Sequence, residues 1–328
     1  MKVISMNLKI ALLLVFGFLS NFLNAQTCCS GGIPLSSSIG LPNLEKGTIQ
    51  IGIAYDYNKL NTLNNGTKKL DDNSRLRITH STLINASYAI TDRFSVEGLF
   101  TWVNQRRKIS QFGNENLDQT SGIGDGLILL KYNFLNAIGK NTDLNLGIGS
   151  KMPFGSSVEK NNQGITLNAD LQPGSNAWDM IYWSSISKSF DFRPSLNISL
   201  RNIYRSTGTN NSYFGDSTYK FGNEFQVLLG FSDQFLLFKT TTSPSISLKY
   251  RNATQDKIGG FDLENTGGNW VSIISNFSIN IKPNVVFSAK AELPVYSNVD
   301  GTQLTPTYRL TTGILFTFAP KKEFLNLN

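Results

Sequence analysis

The stretch Ile49-Gln50-Ile51-Gly52-Ile53-Ala54-Tyr55-Asp56-Tyr57-Asn58 decides the fold. Ile49, Ile51, Ile53, Tyr55 and Tyr57 fall on one face of an extended chain, and Gln50, Gly52, Ala54, Asp56 and Asn58 fall on the other. Side chains alternate with period two along a strand and with period 3.6 along a helix, so no helix segregates these residues. A strand with lipid on one face and a lumen on the other must read this way.

The pattern recurs along the chain. Leu144, Leu146, Ile148, Met152 and Phe154 oppose Asn145, Gly147, Gly149 and Lys151, and Tyr219, Phe221, Phe225, Val227, Leu229 and Phe231 oppose Lys220, Gly222, Glu224 and Gln226. Near the C-terminus Phe287, Ala289, Ala291 and Leu293 oppose Ser288, Lys290 and Glu292, and Tyr308, Leu310, Ile314 and Phe316 oppose Arg309, Thr311, Gly313 and Thr317. A Lys or Arg turned to lipid at midplane costs about 2–4 kcal/mol, so the apolar set is expected outward and the polar set inward. Strands are expected near 48–58, 76–90, 94–104, 121–134, 143–154, 176–189, 195–205, 218–231, 241–252, 269–281, 285–296 and 306–318. The expected fold is all-β, a single transmembrane antiparallel barrel of 12 strands, with ten or fourteen as the alternative counts.

Two stretches resist the alternation. In 176–189, Trp178, Met180 and Tyr182 compete with Ile181 and Trp183, and Phe235 to Phe238 is an unbroken apolar run that reads as a bulged strand start or a packed turn. Connections alternate short and long: 91–93, 190–194 and 282–284 are tight, while 59–75, 105–120, 155–175, 206–217 and 253–268 are long and rich in Asn, Gly, Asp and Ser. Short turns belong to the periplasmic end of such barrels and long loops to the extracellular end, which leaves both termini in the periplasm.

Residues 1–25 have the layout of a secretory signal peptide: Lys2 and Lys9, the apolar run Ile10 to Leu19, then Leu23-Asn24-Ala25. Ten apolar residues are too few for a membrane helix, which needs roughly 20. Cleavage after Ala25 removes two lysines and takes the formal charge from +7 to +5. No basic run or nucleic-acid motif accompanies that charge, which excludes nucleic acid as an expected partner. Residues 26–47 form an N-terminal periplasmic segment or a small plug in the lumen, the barrel covers 48–318, and 319–328 is a periplasmic tail. A receptor with a folded plug domain needs around 22 strands, for which the chain is too short. Cys28 and Cys29 are the only cysteines. Ala25-Gln26-Thr27 before them does not match the usual lipidation pattern. A vicinal disulfide, pairing with another chain, a soft metal ion or plain thiols all remain open for them, and two cysteines alone make no metal site.

Several segments together resemble a known family. Gly122-Ile123-Gly124-Asp125-Gly126 leading into Leu130-Lys131-Tyr132, Leu146-Gly147-Ile148-Gly149-Ser150-Lys151-Met152-Pro153-Phe154-Gly155, and Glu292-Leu293-Pro294-Val295-Tyr296 are similar to the outer-membrane family named for the MetA pathway of phenol degradation. Tyr88 to Val96 and Gly174 to Asp179 resemble it as well, in the same order. The resemblance implies a barrel of the bacterial outer membrane that moves small, rather hydrophobic organic compounds, with no catalytic residue and no cofactor. It also implies outer-membrane lipid and the barrel-assembly machinery as partners, although the chain continues ten residues past the terminal aromatic Phe318.

By alternation the lumen receives Asp56, Glu97, Asp125, Asp179, Glu224 and Glu292 together with Lys131, Lys151, Arg201, Lys249, Arg251, Lys290 and Arg309. These residues either pair into a network that fills the interior or select a solute on its way through. Their mixed signs set no clear preference for anions or cations. His80, the single histidine, with Ser81 and Thr82 beside it, raises an outer-membrane lipid hydrolase as a remote alternative. The pair lacks an orienting acid, and both His80 and Thr82 are expected to point to lipid, so no enzyme is expected. Gly122, Gly124 and Gly126 are not a phosphate loop, since no helix follows; they suit a bend or the close approach of an inner element. The expectation is a passive channel for a small organic solute, with a non-conducting structural or surface-interaction barrel as the competing class.

Overall fold

The computed structural model describes residues 39–320, apart from 43, 112, 136, 137 and 216. The expected leader, Cys28, Cys29 and the tail beyond Pro320 lie outside the described residues.

The described chain is built almost entirely of strands. In order they are β1 (Ile49–Gly66), β2 (Lys68–Lys69), β3 (Arg75–Ala89), β4 (Phe94–Gln111), β5 (Asn114–Ile123), β6 (Gly126–Leu135) and β7 (Thr142–Met152). After a single 3-10 turn at Ala169–Leu171 come β8 (Asp179–Phe190), β9 (Arg193–Ser206), β10 (Asn210–Phe214), β11 (Ser217–Lys220), β12 (Glu224–Ser232) and β13 (Phe235–Leu237). The last are β14 (Thr240–Ala253), β15 (Lys257–Ile258), β16 (Phe261–Asp262), β17 (Gly268–Lys282) and β18 (Val285–Phe318). Eleven of them close into an antiparallel ring, β1-β3-β4-β6-β7-β8-β9-β12-β14-β17-β18, which β18 completes by pairing with β1.

β18 makes two passes. It has 34 residues, about 110 Å of extended chain at roughly 3.3 Å per residue, far more than a bilayer requires. Its first half pairs with β17 from Val285 to Val299 and its second half pairs with β1 from Val299 to Phe318. Both neighbours therefore reach their last partner at Val299, and Gly301 beside it has φ 68°, a left-handed turn conformation that suits glycine. Counted as passes, the wall is twelve-fold, and a closed ring leaves no unpaired edge.

Alternation sets which face is lipid. Ile49, Ile51, Ile53, Tyr55, Phe100, Trp102, Ile128, Leu130, Leu146, Ile148, Leu229, Phe231, Ile246, Leu248 and Leu293 all stand exposed on the outside. So continuous an apolar belt is stable only against hydrocarbon. On the inside, Asp56, Glu97, Lys131, Lys151 and Lys249 alternate with those residues and are buried.

The structure alters several expectations. Residues 59–75 and 105–120 are largely strand: β1 runs on to Gly66 and pairs with β2, and β4 runs to Gln111 and pairs with β5 from Trp102 onward. Once the wall rises above the lipid, backbone pairing holds a strand without apolar alternation, so the sequence signal stops where the strand does not. The expected strand 121–134 is broken into β5 and β6 at Gly124-Asp125, because Asp125 turns inward to meet Lys151 and the backbone N–H groups of Gly155 and Ser175. The expected strand 218–231 is likewise split, with β11 leaving the wall to join β10, β15 and β16 in a separate four-stranded sheet over the long-loop end. In 176–189 the even residues Trp178, Met180 and Tyr182 face out, while Ile181 and Trp183 are buried inside. The run Phe235 to Phe238 is a small hairpin of β13 on β14, turned by Phe238 and Lys239, both at positive φ.

Candidate functional site

The inward charges fall into four groups stacked along the lumen. At the short-turn end Glu97 and Lys131, on neighbouring strands β4 and β6, pair at 2.8 Å with essentially no exposure. A strap of chain preceding β1 enters the lumen here. Gly40 and Leu41 donate their N–H groups to the Glu97 carboxylate at 3.0 Å each, and Lys131 donates to the Leu41 carbonyl at 2.5 Å. Arg201 reaches the Ile39 carbonyl at 3.4 Å. Ile39 itself packs among Leu83, Leu99, Leu127, Leu129, Ile181, Trp183 and Ile203. The inner face of this wall is therefore apolar where the strap lies. Gly40 sits on the Trp183 ring at φ 91°, where an added Cβ would come within 2.8 Å of it.

The second group lies on the β1–β18 seam. Arg309 grips Asp56 with two parallel bonds, Nε to Oδ1 at 2.8 Å and Nη2 to Oδ2 at 2.9 Å, and Thr311 donates to the same carboxylate at 2.7 Å. Such forked pairing fixes geometry as well as charge. Lys249 and Glu292 form an ion pair beside it, and Lys290 lines a neighbouring cavity with Arg201.

The third group is a chain of alternating charge across five strands: Asp125 to Lys151 at 2.6 Å, Lys151 to Asp179 at 3.4 Å, Arg205 to Asp179 at 3.7 Å, Arg205 to Glu224 at 3.8 Å, and Arg251 to Glu224 at 3.1 Å. Three carboxylates meet three cations, so this belt is electrically balanced. Arg205 closes it and was not singled out in the sequence, although it lies four residues from Arg201 on the same face.

The fourth group, at the long-loop end, escaped the sequence reading. The connection from β7 to β8 folds into the mouth: Asp170, in its 3-10 turn, takes Arg77 at 2.8 Å, Thr120 donates to the Leu171 carbonyl at 2.5 Å, and Gln105 donates to the Gln172 carbonyl at 3.3 Å. Arg107 pairs with Asp118 at 2.8 Å. Alternation in β3 and β4 would have placed Arg77, Gln105 and Arg107 inward; nothing in the sequence marks Asp170, whose position depends on a loop. Above it, Asp256 is buried in the four-stranded sheet, where Tyr219 donates its hydroxyl at 2.6 Å and Gly222 its N–H at 2.8 Å. Burial pushes the Asp256 carboxyl up to about 6, against the partial opposition of those two bonds.

Two cavities lie beside these inward charges. One of about 270 Å³ lies between the strap and the wall of β1, β17 and β18, bordered by Ile39, Leu99, Arg201, Ser288, Lys290 and Thr311. The other, of about 230 Å³, lies at the long-loop mouth beside Arg75, Arg77 and Arg107. Outside the barrel, the Tyr55 hydroxyl and His80 Nδ1 share a hydrogen bond at 2.5 Å and Thr82 is exposed to the lipid side. The position an orienting acid would occupy in a triad is held by a tyrosine.

No family model and no curated protein matches this chain. Among solved structures, an outer-membrane channel from Pseudomonas putida F1 superposes with a TM-score of 0.66 at 16 % identity, over 85 % of this chain and 97 % of that one. The transport unit of the autotransporter AIDA-I from Escherichia coli gives 0.49 at 12 % identity over 86 % and 94 %, and the KdgM porin gives 0.43 at 10 % over 82 % and 99 %. The first likeness, together with the apolar belt and the closed ring, makes this chain a β-barrel of the bacterial outer-membrane type.

Proposed function

We propose that the chain is a passive channel for small organic solutes, narrowed at one end by the strap and at the other by the inward loop. The observation that carries the reading is that open space persists beside each obstruction. The strap packs on β3, β4, β6, β8 and β9, the loop bonds to β3, β4 and β5, and each cavity is bordered by β1 and β18 together with β3 and β4. The lumen is narrowed at both ends and keeps a cavity at each. Asp56, Lys249, Lys290, Glu292 and Arg309 project inward from β1, β14 and β18, where inward charge sets the barrier a solute meets. The motif resemblance to the MetA-pathway family supports compounds of rather hydrophobic character as the cargo. It also supports the N-terminal segment serving as the small plug and a leader delivering the chain to the outer membrane.

Conductance of the purified chain in planar bilayers, with Lys151→Gln alongside, tests this. A channel conducts, and the variant alters selectivity, because Asp125 and Asp179 lose their common cation. A non-conducting wild type whose variant melts at lower temperature would reject the channel and favour a barrel whose charges only hold the wall together.

A further inference from the structure

We infer that the cavity at the long-loop mouth is a binding site for a small organic monocarboxylate, met by the solute before it enters the lumen. The inference rests on the channel reading for its biological meaning only; the site itself stands on geometry.

Arg77 on β3 and Arg107 on β4 are direct cross-strand partners, and Arg75 lies two residues along on the same inward face of β3. Like charges opposite one another weaken a strand pair, so something must offset the placement. Asp170 and Asp118 do so in part, each pairing with one arginine at 2.8 Å. Three cations still face two carboxylates. Arg75 makes no ion pair among the described residues, although it lies near enough to Asp72 to favour that carboxylate's charged form.

The hydrogen-bond inventory points the same way. Arg77 spends its terminal nitrogens on Asp170 and on Gln105, and Arg107 spends one on Asp118. The Nε–H groups of Arg75, Arg77 and Arg107 are all buried and all lack an acceptor. A guanidinium carries its donors in a fixed fork that suits a carboxylate. Arg75, with no ion pair among the described residues, is the guanidinium of the three best placed to meet an acceptor group inside the cavity. Leu60, Ile109 and Leu304 add an aliphatic part to the lining, with Leu60 the cross-strand partner of Arg77 and Ile109 that of Arg75. An inorganic oxyanion would leave those groups unused, whereas a carboxylate on a compact apolar body uses both kinds of group. At about 230 Å³ the space lies below the roughly 300–1,000 Å³ of a drug-sized site, which limits the ligand to a few carbons or one ring.

The test is titration calorimetry on the full chain in detergent with benzoate, benzamide and inorganic phosphate, run beside bilayer conductance on the same preparation. Benzoate should bind saturably with one site. Benzamide, its uncharged analogue, and phosphate, which lacks the apolar body, should each bind at least tenfold more weakly. Arg75→Gln should weaken benzoate tenfold or more, Arg75→Lys should fall between, and Arg106→Gln, at the same height but facing outward, should match the wild type. No saturable benzoate binding, equal affinity for benzamide or phosphate, or wild-type affinity in Arg75→Gln overturns the proposal. Binding without conductance rejects the channel and keeps the site; conductance without binding rejects the site and keeps the channel.

Discussion

Replacing Glu97 with Gln should release the strap from the lumen. The Glu97 carboxylate takes N–H groups from Gly40 and Leu41 at 3.0 Å each and the Lys131 ammonium at 2.8 Å, with no exposure to solvent. Hydrogen bonds to a charged group contribute about 1.5–3 kcal/mol each, and removing one member of a buried ion pair costs about 3–5 kcal/mol because the other charge is stranded. A glutamine keeps the shape and one acceptor oxygen but presents an amide N–H₂ to a ring of donors. Lys131 would be left at 1 % exposure with the Leu41 carbonyl as partner. The protein can avoid most of that cost by letting residues 39–42 leave, which admits water to Lys131 and Arg201. The expected outcome is a stability loss below about 3 kcal/mol, a rise in single-channel conductance, and faster modification of a cysteine placed at Leu41 in a background lacking Cys28 and Cys29. The cysteine readout is independent of whether the barrel conducts. A variant that loses the full cost of a stranded charge while Leu41→Cys stays as protected as before would refute the claim that Glu97 holds the strap.

Two further outcomes follow from the long-loop end. Asp256, raised from 3.8 to about 6 by burial, keeps its proton in the folded sheet at pH values where the unfolded chain has released it. Its contribution is therefore complete below about pH 4 and is lost as pH rises through 6, by up to about 3 kcal/mol. Thermal melting between pH 4 and 7 should show that decline in the wild type and a flatter profile in Asp256→Asn; a wild type that gains stability over this range contradicts the assignment. A cysteine introduced at Asn65, at the tip of β1 where it pairs with Lys68, should react with an impermeant reagent on intact cells, and reaction only after permeabilisation would invert the topology.

The wall was legible in the sequence because lipid enforces the alternation. Ile49 to Tyr57 could not fold otherwise, and the same two-residue period carried Glu97, Lys131, Arg201 and Arg309 to the inside. The reading failed where lipid stops acting. Residues 105–111 and 114–120 stand above the apolar belt, and their pairing depends on backbone hydrogen bonds that leave no mark in composition. Trp178 to Trp183 was ambiguous for a different reason: Met180 and Tyr182 answer to lipid, Ile181 and Trp183 answer to the strap, and two apolar environments on two faces erase the period. Asp170 was invisible, because a loop residue's partner depends on how a 26-residue connection, 153–178, folds back.

The interior charges are not equivalent, and the strap and loop explain why. The belt from Asp125 to Arg251 alternates in sign and is balanced, so each member has a partner whose loss would strand a charge. Along β1 and β18 Arg309 pairs with Asp56, Lys249 on β14 pairs with Glu292, and Lys290 lines the larger cavity with Arg201. The smaller cavity is lined by Arg75, Arg77 and Arg107 together with Asp170. Both cavities therefore have basic side chains in their lining. Holding charge away from water costs stability. In the belt that cost is offset by the neighbouring charge, and at the cavities the basic groups border space in which an acceptor group of a solute would offset part of it.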